Sequence, residues 1–149
     1  MTISETKQAQ RAAGKAARKA LSPARRAEAS ACICAQLAVL PEFWAAGRIL
    51  LYAAFWAEVD LAALAEEAAR QGKQIAYPVC GEDFSLTAAL PAQNGGWEVG
   101  AYGIRTPILS RAEVLPPEAL DLVLVPCTAF DAACRRVGMG KGYYDRYLP

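Results

Sequence analysis

The sequence predicts one α/β domain over residues 1–149: a mostly parallel sheet with helices on both faces, preceded by an N-terminal helical pair. Three observations carry this. Ile49 to Phe55 (ILLYAAF) and Leu122 to Val125 are apolar runs without polar alternation, as expected of strands covered on both sides. Between Ile49 and Val79, strand, helix and strand follow one another with short joins, the order of a βαβ unit with a right-handed crossover. A chain of 149 residues with 54% hydrophobic content is also long enough for one core, burying roughly two-thirds of its unfolded surface.

Glu5 to Ala20 is rich in the good helix formers Ala, Lys, Arg and Gln. Ser22-Pro23 then offers an N-cap and a first-turn proline for a second helix running to about Val39, with Ile33, Leu37 and Leu40 turned inward and Pro41 as its stop. After the Ile49 strand, Asp60 caps a helix whose Leu61, Leu64, Ala65 and Ala68 share a face, and Gly72 closes it. Gln74 to Val79 is the next strand, Phe84 to Leu90 a shorter one, and Asn94-Gly95-Gly96 a turn. No repeat, linker or low-complexity tract divides the chain.

Composition narrows the chemistry. The absence of histidine excludes a Ser-His-Asp triad, imidazole acid-base catalysis and every histidine-bearing zinc site. Five cysteines, odd in number and without a CxxC, suit free thiols in a reducing compartment. Sixteen basic and fifteen acidic residues leave a net charge of +1, which argues against a nucleic-acid coat or a polybasic membrane tail. With no apolar run of the ~18 residues that span a bilayer and no leader pattern, a cytoplasmic protein is expected.

The densest cluster of chemistry is RRVGMGKGYYDRYL, Arg135 to Leu148, beyond the carboxyl end of the Leu122 strand, where open α/β sheets bind ligands. Gly138, Gly140 and Gly142 permit positive φ at alternate positions and keep Cβ atoms away from a bound phosphate. Arg135, Arg136 and Lys141 add charge, so the segment reads either as an anion cradle or as a tight turn. Its spacing is neither GxxxxGK[ST] nor GxGxxG. Asp145 either faces a Mg²⁺ bridging phosphates or complements a helix dipole. At 100° per residue, Lys7, Arg11, Lys15 and Arg18 fall within about 80°, a basic stripe that is a solvated face or a second anion contact. Glu58, after Phe55-Trp56, is a loop carboxylate in water or an acceptor for a polar heterocycle.

LVPCTAFDAACRRVGMGKGYYDRYL resembles the signature of the 5-formyltetrahydrofolate cyclo-ligases (5,10-methenyltetrahydrofolate synthetases), and Lys7, Arg11, ILLYAAFWAEVD and AYGIRTP extend the likeness upstream. It implies that ATP phosphorylates the formyl oxygen of 5-formyltetrahydrofolate, N10 attacks the activated carbon, and phosphate leaves. The implied ATP-binding residues are Lys7, Arg11 and the run Arg136, Val137, Gly138, Met139, Gly140, Lys141, Gly142, Tyr143 and Tyr144, with Lys141 and Arg136 as the catalytic cations. The implied folate site takes Arg11, Ala53, Glu58 accepting from the pterin N–H groups, Tyr102 stacking on a ring, and Met139 to Tyr143. Asp145 would hold Mg²⁺. Thr106 stands where the family often has glutamate. The implied partner is the small-molecule substrate alone, bound by a monomer, without nucleic acid or membrane. Family members continue into further strands and another metal-binding acid, so a C-terminally incomplete domain lacking those strands is expected. The alternative is a non-catalytic nucleotide-binding module or a truncated, inactive homologue.

Overall fold

The computed structural model describes every residue from Met1 to Pro149. Two long helices come first. Helix α1 (Ile3–Ala20) starts at a reciprocal cap: Thr2 Oγ1 accepts from the Glu5 amide at 3.2 Å and Glu5 Oε2 accepts from the Thr2 amide at 2.6 Å. Helix α2 (Pro23–Ala38) starts as its sequence predicts, Ser22 Oγ accepting from the Arg25 amide at 3.1 Å ahead of Pro23. The short α3 (Pro41–Ala45) buries Phe43.

The remaining elements are β1 (Arg48–Leu50), α4 (Ala62–Arg70), β2 (Gln74–Cys80), β3 (Leu86–Leu90), β4 (Trp97–Val99), β5 (Arg105–Pro107), β6 (Glu113–Leu115), β7 (Leu122–Val123), β8 (Ala129–Phe130), β9 (Arg136–Val137) and α5 (Tyr143–Tyr147). Five strands form the central sheet in the order β6-β3-β2-β1-β7, while β4-β5 and β8-β9 are separate two-stranded ribbons.

The sheet is mixed, a correction to the mostly parallel expectation. The pairs β1-β2 and β1-β7 are parallel, but β2-β3 and β3-β6 are antiparallel. The cause is local: Gly81 to Ser85 closes a tight reversal, with the Gly81 amide donating to the Ser85 carbonyl at 2.9 Å, so β3 returns beside β2 with no crossover. Strand β1 is also shorter than its apolar run. After the Leu51 amide bonds to the Ala76 carbonyl at 3.0 Å, residues Tyr52 to Phe55 leave the ladder and become cavity wall.

Alternation in and after β1 divides the core. Ile49 and Leu51 face Cys34, Phe43, Leu61, Leu64 and Ala68 from α2 to α4, whereas Leu50 faces Ala76, Leu86, Ala88 and Leu115 on the other side, covered by tyrosines of α5. Helices thus lie on both faces, as predicted. The inward stripe of α2 differs: Ile33 and Leu40 are 37% and 42% exposed, while Ser30 and Cys34 are buried. Polar contacts rotate the helix, because Ser30 Oγ accepts from the Asp60 amide at 3.0 Å and Cys34 Sγ donates to the Asp60 carbonyl at 3.3 Å. No helix is long and apolar enough to cross a membrane, and all five cysteines are free.

Candidate active site

Strands β1 and β2 end where a cavity of about 670 Å³ opens, walled also by α1, the β4-β5 ribbon and the glycine-rich loop. Helix α1 buries none of its residues, so packing alone cannot fix it. Two guanidinium groups do so: Arg11 Nε donates to the Gly138 carbonyl at 2.8 Å and Arg18 donates to the Cys127 carbonyl. Gly14 makes this approach possible, since a Cβ there would lie 2.4 Å from the Thr128 carbonyl oxygen. The basic stripe is therefore divided: Arg11 and Arg18 are tied to backbone carbonyls, while Lys7 and Lys15 stay exposed. Lys7, Arg11 and Lys15 reach the cavity and Arg18 ties the helix to its rim.

The loop enters from β9, where the Val137 carbonyl accepts from the Thr128 amide and hydroxyl, both at 2.8 Å. Gly140 and Gly142 take the predicted left-handed conformation, with φ of 100° and 74°; Gly138 does not, a correction to the three-glycine expectation. Loop carbonyls are engaged, Gly138 by Arg11 and Lys141 by Arg146 at 2.6 Å, whereas the amides of Met139, Gly140, Lys141 and Gly142 donate to no protein group. Consecutive free amides beside cations form a receptor for an anion.

Among the predicted ATP and folate residues, Lys7, Arg11, Ala53, Glu58, Tyr102, Arg136 and every residue from Gly138 to Tyr144 line this one cavity, together with Asp145. Val137 lies outside it. Arg135 is also elsewhere: its Nε donates to Asp131 Oδ2 at 2.8 Å on the exposed β8-β9 turn, so it adds nothing to the cradle.

Asp145 accepts from Arg136 at 2.8 Å, and the Arg136 guanidinium lies 5.9 Å from the Tyr144 ring centre. No three acidic, cysteine or histidine side chains cluster anywhere as a ready metal site. Glu58 Oε2 accepts from the Phe55 amide at 2.8 Å, folding the loop after β1. Burial pushes its carboxyl above the ordinary value, opposed by that amide and by Arg18. Burial likewise raises the Tyr144 phenol, whose hydroxyl has no partner in the wall.

Two contacts escaped sequence reasoning. The Tyr102 and Tyr143 hydroxyls meet at 3.2 Å, which with partial burial pushes Tyr143 up to about 12. Phe84, left-handed at φ 60°, packs edge-on to Tyr143 with centroids 5.9 Å apart and lies 5.7 Å from Lys141 Nζ. A bulky residue in that conformation is strained, and the Gly81-Glu82-Asp83-Phe84-Ser85 turn was the only signal for it. Thr106 spends its hydroxyl on the Pro78 carbonyl at 3.1 Å.

The comparisons with known proteins concern the chain and its fold as a whole. Residues 3–149 match the model of the 5-formyltetrahydrofolate cyclo-ligase family. The chain is 31% identical over 134 residues to the 5-formyltetrahydrofolate cyclo-ligase of Escherichia coli K12, covering 88% of this chain and 73% of that protein. The mouse 5-formyltetrahydrofolate cyclo-ligase is 26% identical, with 99% and 76% covered. The solved 5,10-methenyltetrahydrofolate synthetase of Aquifex aeolicus superposes with a TM-score of 0.82 at 34% identity, covering 95% of this chain and 71% of that one. The Mycoplasma pneumoniae synthetase gives 0.74 at 25% identity, with 95% and 76% covered.

Proposed function

This chain belongs to the 5-formyltetrahydrofolate cyclo-ligase family, and we propose that it converts 5-formyltetrahydrofolate to 5,10-methenyltetrahydrofolate with ATP and Mg²⁺, releasing ADP and phosphate. The formyl oxygen attacks the γ-phosphorus as the bond to ADP breaks. N10 then attacks the activated carbon, its proton passes to solvent, and the carbon–oxygen bond to phosphate breaks. No side-chain nucleophile is needed, so a chain without histidine suffices.

One observation carries this reading: four consecutive amides without protein acceptors, Met139 to Gly142, sit in the wall that also holds Lys7, Arg11 and Glu58. In the proposal those amides, Lys7 and Arg11 bind the triphosphate, and Lys141 and Arg136 stabilise charge on the transferring phosphoryl group. Glu58 accepts from the pterin N–H groups, and Tyr102 stacks on a substrate ring. Burial of Glu58 strengthens such hydrogen bonds.

Magnesium fits as an ion bound together with the nucleotide. Asp145 offers a lone carboxylate, and Mg²⁺ is commonly held by one or two carboxylates plus phosphate oxygens. The ion would supply charge neutralisation at those oxygens. A monomer working in the cytoplasm is part of the same reading, and five free thiols suit that reducing compartment.

The test is to mix the chain with ATP, Mg²⁺ and 5-formyltetrahydrofolate. The expected result is a near-ultraviolet-absorbing product formed with one ADP each. Absence of both product and ADP would refute the reading.

A further inference from the structure

A second cavity of about 450 Å³ adjoins the first, and Tyr52, Ala53, Phe55, Ile104 and Arg105 belong to both walls. The two cavities are therefore neighbours across a shared wall. Its wall is aromatic, built from Phe55, Trp56, Tyr77 and Trp97, with one cation, Arg105, and one carboxylate, Asp60. The carboxylate is already engaged: the N-cap of α4 is Leu61 rather than the expected Asp60, but Asp60 Oδ1 accepts from the Ala62 amide at 3.0 Å just ahead of that helix.

The cation has no hydrogen-bond acceptor and no ion-pair partner in the protein. Arg105 donates no side-chain hydrogen bond, and the four ion pairs of the molecule are Arg25–Glu28, Arg70–Glu67, Arg135–Asp131 and Arg136–Asp145. It is nevertheless held in place. Trp97 pairs with Pro107 across the β4-β5 ribbon, so Arg105 is its diagonal neighbour, and the guanidinium lies 4.7 Å from the indole centre. Tyr77 supports the indole edge-on at 4.6 Å. A guanidinium stacked on a fixed ring keeps its N–H edge for a planar anion and is suited to bidentate pairing with a carboxylate. Across the cavity, Trp56 is left-handed at φ 51°, in the turn that Glu58 closes through the Phe55 amide. That turn contributes Glu58 to the first cavity and Trp56 to the second.

An arene ending in a carboxylate matches this lining. We infer that the second cavity receives the aminobenzoyl-glutamate tail of the substrate, with Arg105 pairing a tail carboxylate and thereby selecting glutamate-bearing folates. The inference rests on the folate reading above.

Two measurements on the full chain test it. Tryptophan fluorescence reports binding of 4-aminobenzoyl-L-glutamate and of its uncharged diamide, without any need for turnover. The expected result is about tenfold tighter binding of the dicarboxylate than of the diamide, and loss of that preference in R105Q with partial retention in R105K. Turnover of 5-formyltetrahydrofolate and 5-formyltetrahydropteroate should show KM favouring the glutamate-bearing substrate by a similar factor, collapsing to about one in R105Q. Equal binding of dicarboxylate and diamide to the unsubstituted chain, or an R105Q preference equal to that of the unsubstituted chain, would overturn the inference. Should neither folate be turned over while R105Q still abolishes dicarboxylate binding, the subsite stands and the cyclo-ligase reading falls.

Discussion

Substituting Gly14 by alanine sets two effects of opposite sign against each other. In an exposed helix interior the change normally stabilises by about 1 kcal/mol, through backbone entropy alone. Here the new Cβ would lie 2.4 Å from the Thr128 carbonyl oxygen, and ordinary contact begins near 3.4 Å, so α1 must withdraw by about 1 Å. The obstacle is backbone, which cannot swing aside. That withdrawal stretches the 2.8 Å bond from Arg11 to the Gly138 carbonyl beyond hydrogen-bonding range and loosens Arg18 from Cys127. Each bond of a charged donor contributes about 1.5 to 3 kcal/mol, and α1 has no buried side chain to compensate. The propensity gain offsets only part of one such bond. If the nucleotide needs α1 docked, G14A should weaken ATP binding about tenfold to a hundredfold while helix content is kept or raised. Calorimetric titration with Mg-ATP, alongside circular dichroism, measures both. Unchanged ATP affinity in G14A would refute the docking argument.

Three further outcomes follow from the same geometry. Burial raises the Glu58 carboxyl, so the folded state favours its neutral form: that contribution to stability is complete below the ordinary value near 4.5 and is lost as pH rises through the raised one. E58Q should therefore melt higher than the unsubstituted chain by a margin that grows as pH rises above that value, while KM for the folate increases. D145N should leave the melting temperature nearly unchanged, since the side chain is 76% exposed, yet weaken Mg-ATP binding; equal Mg-ATP affinity in D145N would remove Asp145 from the metal assignment. Y102F deletes the hydroxyl that does most to hold Tyr143 near 12, so a carbon-labelled tyrosine titration should show Tyr143 moving down toward the ordinary value of 10, and an unmoved resonance would break the link.

The sequence carried local rules well. Ser22-Pro23 and Gly72 marked helix ends because capping chemistry is confined to a few adjacent residues. The glycine loop was legible for the same reason, although only Gly140 and Gly142 use the freedom that alternate glycines offered. Strand direction was not legible from apolar runs, since a covered strand reads alike whether its neighbour is parallel or antiparallel; the Gly81 turn decided it. Ile33 and Leu40 misled because the Ser30 and Cys34 bonds to Asp60, not apolar periodicity, fix the rotation of α2. Arg135 and Arg136 are neighbours in sequence, but in the β8-β9 ribbon one reaches Asp131 and the other Asp145. Arg105 lies within AYGIRTP but had no role attached to it there, and Phe84 lies in no motif; what they touch emerges only once the β4-β5 ribbon and the β2-β3 turn are folded.

The central claim is that free amides of one loop, assisted by cations of the first helix, hold the triphosphate. Amide nitrogen resonances recorded while a non-hydrolysable ATP analogue and Mg²⁺ are added test it most directly. Met139, Gly140, Lys141 and Gly142 should shift together, in step with Arg11 Nε, and at the same analogue concentration. Binding that leaves those four amides unmoved while resonances elsewhere respond would contradict it.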